Sequence, residues 1–298
     1  MEIKENIKEE KHQKSGAEII ENQENLAKSH EKSLKSHEKT SKYQEKVLKN
    51  HENTQEKVLN NEKLSQDDPV VIYEDNHLIV VVKPQNIPSQ NDITGDDDML
   101  SRVKRYIKVK YNKEGEAFVG LVHRLDRPTG GIMVFAKNSK TASRLSEQIK
   151  NSEMKKTYYA VTTSLPQIRK DRLINYLKKD EKNNIVKIVP QTEKGVKRAE
   201  LSYEVLQTDG NLALCEVKLI TGRSHQIRVQ FAGINCSLYG DNKYGKDKTS
   251  STKNLGLWAG RLEFIHPTTK QKMTFACPPL NKDSMPWKKF YMDKYFLK

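Results

Sequence analysis

Residues 120–137 read G-L-V-H-R-L-D-R-P-T-G-G-I-M-V-F-A-K. An apolar run ending in His123, a polar turn through Gly130 and a second apolar run over 132–136 spell strand, loop, strand. The loop carries one carboxylate, Asp126, between two guanidinium groups, Arg124 and Arg127. Pro128 fixes its backbone, and the Gly130-Gly131 pair permits approaches that a Cβ would block. A carboxylate set between cations on a constrained loop is expected to stay ionised, because nearby opposite charge favours the charged form. Such a group suits attack on carbon or removal of a proton. R-L-D-R in a turn is, on its own, more often a surface salt-bridge cluster of little energetic consequence. The strong flanking strands, the glycine pair and a second basic stretch about a hundred residues downstream favour a site instead. That stretch is T-G-R-S-H-Q-I-R over 221–228, followed by Y-G-D-N-K-Y-G over 239–245.

These motifs resemble those of the RluA-like pseudouridine synthases, the branch related to ribosomal large subunit pseudouridine synthases A and D. The family pattern H-R-L-D-x-x-T-S-G matches over 123–131, K-x-Y matches Lys156-Thr157-Tyr158, and G-R-x-H-Q-[IL]-R-V matches over 222–229. The resemblance implies that Asp126 is the catalytic aspartate, Tyr158 the active-site tyrosine and Arg228 the arginine that pairs with the aspartate. It also implies an α+β pseudouridine synthase catalytic fold: a mostly antiparallel central sheet, flanking helices and a central cleft. One departure is visible, Gly130 standing where the commoner pattern has serine.

Charge is distributed in a way that fits a nucleic acid partner. The chain is 35% hydrophobic and 31% charged, with a net charge of +14. Residues 1–67 hold 13 Lys and no Arg against 14 acidic side chains, so residues 68–298 carry a net +15. A basic globular segment is an electrostatic footprint for polyanions. Cys215, Cys236 and Cys277 are odd in number and widely spaced, which supports neither a disulfide framework nor a C-x-x-C metal site, and reduced thiols in a cytoplasmic protein are expected. No apolar run approaches the roughly 18 residues that span a bilayer, and the chain opens without the apolar core of a leader.

Residues 1–67 form a charged segment with a seven-residue repeat over 28–55, whose last position runs Leu34, Ser41, Leu48, Gln55. Without a continuous second apolar row the seam of a coiled coil is missing, so a solvated, partly helical tail is expected, too poor in apolar residues for an S4-type RNA-binding domain. The repeat's His30, His37 and His51 lie too far apart to share a helix turn around a metal. From 68 to 298 one catalytic domain is expected. Strands are read at 70–73, 78–82, 157–163, 198–206, 212–219, 255–265 and 272–276. A helix over 99–111 should bury Leu100, Val103 and Ile107. A second, capped by Asn138, should bury Ala142, Leu145 and Ile149, and a third follows the turn at Gly222. Many strands with two or three helices indicate α+β with a largely antiparallel sheet. Alternation sends Tyr158 and Tyr159 to opposite faces, so only one can meet Asp126.

Turning uridine into pseudouridine breaks the N1–C1′ bond, rotates the uracil and rejoins it through C5, with no redox or phosphoryl step. No cofactor or metal is expected, and the chain shows no phosphate loop, dinucleotide fingerprint or metal-ligand spacing. Asp126 would attack C1′ or remove the C2′ proton, Tyr158 would stack on the uracil, and Arg228 would orient the aspartate. Arg124 is expected to hold the flipped nucleotide or fill its place, with His123, Thr129, Arg223, His225 and Gln226 as further RNA contacts. The expected partner is structured ribosomal or transfer RNA, met by a cytoplasmic monomer. Two rival readings are a non-catalytic RNA-binding module of ribosome assembly and a hydrolase using Asp126 with His123.

Overall fold

The first hairpin, β1 (Val70–Glu74) and β2 (Leu78–Lys83), is closed by Asp75. Its Oδ1 accepts from the backbone N–H groups of His77 at 2.7 Å and Leu78 at 2.8 Å, an Asx turn that spares the backbone a less favourable bend. The computed structural model describes residues 68–245 and 254–296. The chain divides into two units, Met1–Lys63 and Leu64–Lys298. The charged segment with its seven-residue repeat and histidines lies outside the described residues.

Helix α1 (Met99–Lys110) starts on Asp98, whose side chain accepts from Ser101 N–H, and buries Met99, Val103 and Ile107. Leu100, expected inside, is only partly buried, because the buried stripe begins one residue earlier. Then come β3 (Gly120–Leu121), β4 (Gly130–Ala136) and α2 (Ser139–Lys150). Asn138 caps α2 as expected, accepting from Thr141 N–H. The buried stripe of α2 is Thr141, Leu145 and Gln148, however, and not Ala142, Leu145 and Ile149. Gln148 goes inward because its amide both donates to Ile265 O and accepts from Ile265 N–H, at 2.7 and 2.8 Å. A buried polar side chain is tolerated where its hydrogen bonds are met.

The remaining elements are β5 (Lys155–Thr162), β6 (Lys170–Asp180), β7 (Ile185–Val189), β8 (Lys197–Asp209), β9 (Leu212–Leu219), α3 (Gln226–Gly233), β10 (Leu257–Ile265) and β11 (Lys272–Ala276). They form one sheet in the order β1-β2-β4-β10-β5-β9-β8-β6-β7, with β3 on β4 and β11 on β10. Every pairing is antiparallel except β10 with β4. The hairpin β6–β7 is not among the strands read from the sequence. Only Leu173, Leu177 and Val186 are buried in it, so no sustained apolar alternation marks it.

The parallel contact between β4 and β10 pairs Gly130 with Trp258 and Gly131 with Ala259. Gly131 has φ 128°, and a Cβ there would lie 2.6 Å from Ala259 N. At Gly130 a Cβ would enter the Trp258 ring, 2.7 Å from Cε3. The Trp258 indole is buried and donates to Cys277 O at 2.8 Å, so it has no free direction of escape. This accounts for glycine where the related pattern has serine. Gly130→Ser is expected to lower stability by about 3 kcal/mol through overpacking. Urea unfolding would measure it, and a midpoint unchanged from wild type would contradict this packing.

Alternation on β5 resolves the two tyrosines. Tyr158 joins the core shared with α1 and α3, together with Val103, Val217, Ile227 and Phe231. Tyr159 turns to the other face and packs on Phe296 at 4.8 Å between ring centroids.

Candidate active site

The apolar run before Asp126 leaves the sheet earlier than its composition suggests. After Gly120 and Leu121 pair with Ala136 and Phe135, the next donor on β4, Val134 N–H, goes to the side chain of His123 at 3.0 Å from Nε2. The imidazole replaces a strand carbonyl, and β3 ends after two residues. With Nε2 accepting, the proton of the neutral ring sits on Nδ1, which is buried without a partner. Burial, with the charge of Lys156 adding to it, pushes the His123 pKa down to about 3. His123 is therefore neutral at physiological pH, and its basic nitrogen is already engaged, which weighs against the hydrolase reading.

The loop that follows is braced from the β2–α1 connection. Ser89 donates to Leu125 O at 2.8 Å and accepts from Leu125 N–H at 3.0 Å. Asn86 N–H and Lys83 Nζ both reach Arg127 O, at 2.8 and 3.0 Å, and Gln85 Nε2 donates to Pro128 O at 3.0 Å. Inside the loop Thr129 N–H closes a turn on Asp126 O at 2.9 Å. A loop tied at each of these backbone positions holds its one carboxylate in a fixed place, as a preorganised site requires. Neither flanking guanidinium pairs with that carboxylate, contrary to the expectation from sequence. Arg127 turns outward onto Asp92 and Asp96, and Arg124 is exposed at the cleft.

Lys83 was not a candidate from sequence, yet it is fully buried beneath this loop. Burial pulls its pKa down to about 7, an effect that Asp126 opposes and Arg127 reinforces. A folded-state pKa below that of the unfolded chain means the unfolded state binds more protons between about pH 7 and about 10.4. Stability should therefore rise with pH across that window, and fall as pH drops through 7. The slope contributed by this one group is at most about 1.4 kcal/mol per pH unit. Urea unfolding of wild type and Lys83→Met at several pH values tests this: the wild type should gain on the variant as pH rises, and parallel curves would refute it.

Asp126 faces Arg228 on α3, with Oδ2 3.6 Å from Nη1 and its side chain 28% exposed. Arg228 has a closer partner that the sequence motifs did not identify. Asp241 accepts from Nε at 2.9 Å and from Nη2 at 2.7 Å, a bidentate pair with no exposed carboxylate surface. Burial would raise the Asp241 pKa, but the Arg228 hydrogen bonds and charge, with the N–H groups of Tyr244 and Lys243, hold it below the usual carboxylate range. The guanidinium also lies over the Tyr244 ring, 5.2 Å from its centroid. Asp241 thus locks Arg228, and Arg228 presents Nη1 to Asp126. Asp241 lies in the Y-G-D-N-K-Y-G stretch, whose proximity in sequence was the available signal.

Tyr158 lines the same cavity, of about 260 Å³, as Asp126, Arg228, His123, Thr129 and Lys156. Burial, and then the charge of Asp126, raises its phenol pKa above the ordinary value, so the ring is a neutral hydroxyl at physiological pH. Thr129 Oγ1 is buried without a partner. Next to this pocket opens a wider cleft of about 730 Å³ that shares Arg124, Asp126, His225 and Arg228 with it and reaches Lys179 and Lys243. Together they make a cavity that opens into a cleft lined by the cations Arg124, Lys179 and Lys243.

The other candidates have varied surroundings. Arg223 is exposed, its Nε donating to Arg198 O at 3.0 Å. His225, in the left-handed region at φ 52°, starts α3, and its Nδ1 is 2.6 Å from Tyr244 Oη. Gln226 is buried and its amide is spent within the protein: Oε1 accepts from Thr221 Oγ1 and Arg223 N–H, and Nε2 donates to Glu200 O. That bonding fixes the turn that carries Arg223 and leads into α3, from which Arg228 projects.

Comparisons with known proteins agree with this architecture. The profile of the family described as RNA pseudouridylate synthase matches residues 77–233. An uncharacterized RNA pseudouridine synthase of Helicobacter pylori is 33% identical over 233 residues, covering 75% of this chain and 70% of that protein. Ribosomal large subunit pseudouridine synthase D of Borreliella burgdorferi is 33% identical over 198 residues, covering 65% and 60%. Among solved structures, human RNA pseudouridylate synthase domain containing 4 shares the fold with a TM-score of 0.60 at 21% identity, covering 76% of this chain and 92% of that one. Human RNA pseudouridylate synthase domain containing 1 gives 0.58 at 18%, covering 73% and 86%.

Proposed function

Because the chain belongs to the RNA pseudouridylate synthase family, whose isomerases convert uridine in RNA to pseudouridine, we propose that Asp126, Tyr158 and Arg228 carry out that conversion here, on ribosomal or transfer RNA. The observation that carries this is the meeting of an accessible carboxylate, a neutral phenol and a locked guanidinium on one cavity. Asp126 attacks C1′ or removes the C2′ proton, and either step uses its carboxylate, which lies 3.6 Å from Arg228 Nη1. Tyr158 stacks on the freed uracil, its hydroxyl having no protein partner among the described residues. A uridine in structured RNA must leave its stack to reach this cavity, at a cost of a few kcal/mol. Arg124, which is exposed and lines the cleft, holds the flipped nucleotide on this reading. Thr129, Arg223 and His225 supply further contacts, while His123 and Gln226 act through the positions they give the loop and α3.

The names of the Borreliella burgdorferi relative and of ribosomal large subunit pseudouridine synthase C of Rickettsia bellii favour ribosomal RNA. No described helix is long and apolar enough to cross a membrane. On this reading the protein acts as a cytoplasmic monomer, with Asp126, Tyr158 and Arg228 of one chain lining one cavity. The test is incubation with unmodified ribosomal and transfer RNA transcripts carrying tritium at uridine C5. Isomerisation releases tritium to water and leaves the chain intact. Binding without release would support the ribosome-assembly module instead.

A further inference from the structure

The proposed reaction creates a negative charge that neither Arg228 nor Arg124 is free to match. When N1–C1′ breaks, the electron pair stays on N1, and the uracil becomes an anion with charge spread onto O2 and O4. Stabilising charge where it develops is usually the largest contribution a site makes. Arg228 is committed to Asp241 and Asp126, and Arg124 is at the exposed mouth. Lys156 remains. It stands two residues before Tyr158 on β5, so both side chains share a sheet face, and it lines the same cavity as Asp126 and Tyr158. Among the described residues its ammonium has no hydrogen-bond or ion-pair partner. The absent side chain of Gly222 leaves open space before it, with Lys156 Nζ the nearest atom at 4.0 Å from where a Cβ would be. A half-buried ammonium without a counter-ion is costly in the free protein.

Resting on the reading above, we propose that Lys156 is a further catalytic residue, donating a hydrogen bond to a uracil carbonyl oxygen as the base departs. The electrons and atoms balance without a proton from Lys156. Asp126 bonds to C1′ or takes the C2′ proton, the rotated ring joins C1′ through C5 as Asp126 leaves C1′ or returns the proton to C2′, the C5 proton goes to water, and N1 takes a proton from water. Lys156 must keep its charge throughout. Burial lowers its pKa, and the titratable or charged groups that line the same cavity are Asp126, His123, Tyr158, Arg223, His225 and Arg228, of which His123 feels its charge.

The experiment is single-turnover tritium release from the same C5-tritiated transcripts, with filter binding to measure RNA affinity and thermal melting to confirm folding. Lys156→Met should lower the rate about 100- to 1000-fold with affinity within about threefold of wild type. Lys156→Arg should retain part of the rate. Lys156→Ala should regain rate with added propylammonium, which a structural role would not allow. The wild-type rate should fall at high pH earlier than that of Lys156→Arg. A Lys156→Met enzyme at the wild-type rate, or one that loses affinity at constant rate as a phosphate contact would, overturns the proposal. So does loss of rate without amine rescue. Absence of release by the wild type would instead remove the activity on which this role depends.

Discussion

Asp126→Asn should fold as the wild type does, bind RNA with unchanged affinity, and release tritium at least about 10⁴-fold more slowly. The substitution keeps shape and hydrogen-bonding capacity while removing the charge and basicity that both routes require. Little stability is at stake. The Asp126 side chain is 28% exposed, its contact with Arg228 is 3.6 Å, and Arg228 keeps its buried bidentate partner. Exposed or long ion pairs contribute at most about 1 kcal/mol. A large kinetic loss with a small change in melting is therefore expected, and a variant with full release would mean that another group attacks the sugar.

Arg228→Met should show the opposite balance, losing stability and activity together. It strips the partner from Asp241, whose carboxylate has no exposed surface, and an uncompensated buried charge costs about 3 to 5 kcal/mol. If this is the reason, the Arg228→Met/Asp241→Leu double variant should be more stable than Arg228→Met alone, because no buried carboxylate remains. Both variants should be nearly inactive, since neither presents a guanidinium to Asp126. Urea unfolding of the single and double variants measures the coupling. Additive losses would show that Asp241 does not depend on Arg228. The wild type also has an acid limit set here. The folded-state pKa of Asp241 lies below its unfolded value, so its contribution is complete above the unfolded pKa of about 3.9 and is lost as pH falls towards the folded one.

What could be read from the sequence was what local pattern controls. The hairpin closed at Asp75, the Asn138 cap and the opposite facing of Tyr158 and Tyr159 follow from short-range stereochemistry. The three motifs place Asp126, Tyr158 and Arg228 on one cavity. What escaped depends on tertiary contacts. Asp241 was visible as an acidic residue near the third motif, but only the fold shows that it, and not Asp126, is the closer partner of Arg228. Arg127 looked like a neighbour of Asp126 because adjacent residues are close along the chain, whereas its side chain points to Asp92 and Asp96. The hairpin β6–β7 carries Lys178 opposite Lys187, so its solvent-facing composition hides a strand that is anchored by only a few buried residues. Gln148 reads as a surface residue until the backbone of Ile265 is brought beside it.

The most direct measurement is a nucleotide-resolution map of pseudouridine in ribosomal and transfer RNA from cells expressing either the wild-type chain or Asp126→Asn at equal abundance. One or more uridines should be modified in the first and unmodified in the second. Identical maps would contradict the assignment of Asp126 as the group that opens the glycosidic bond.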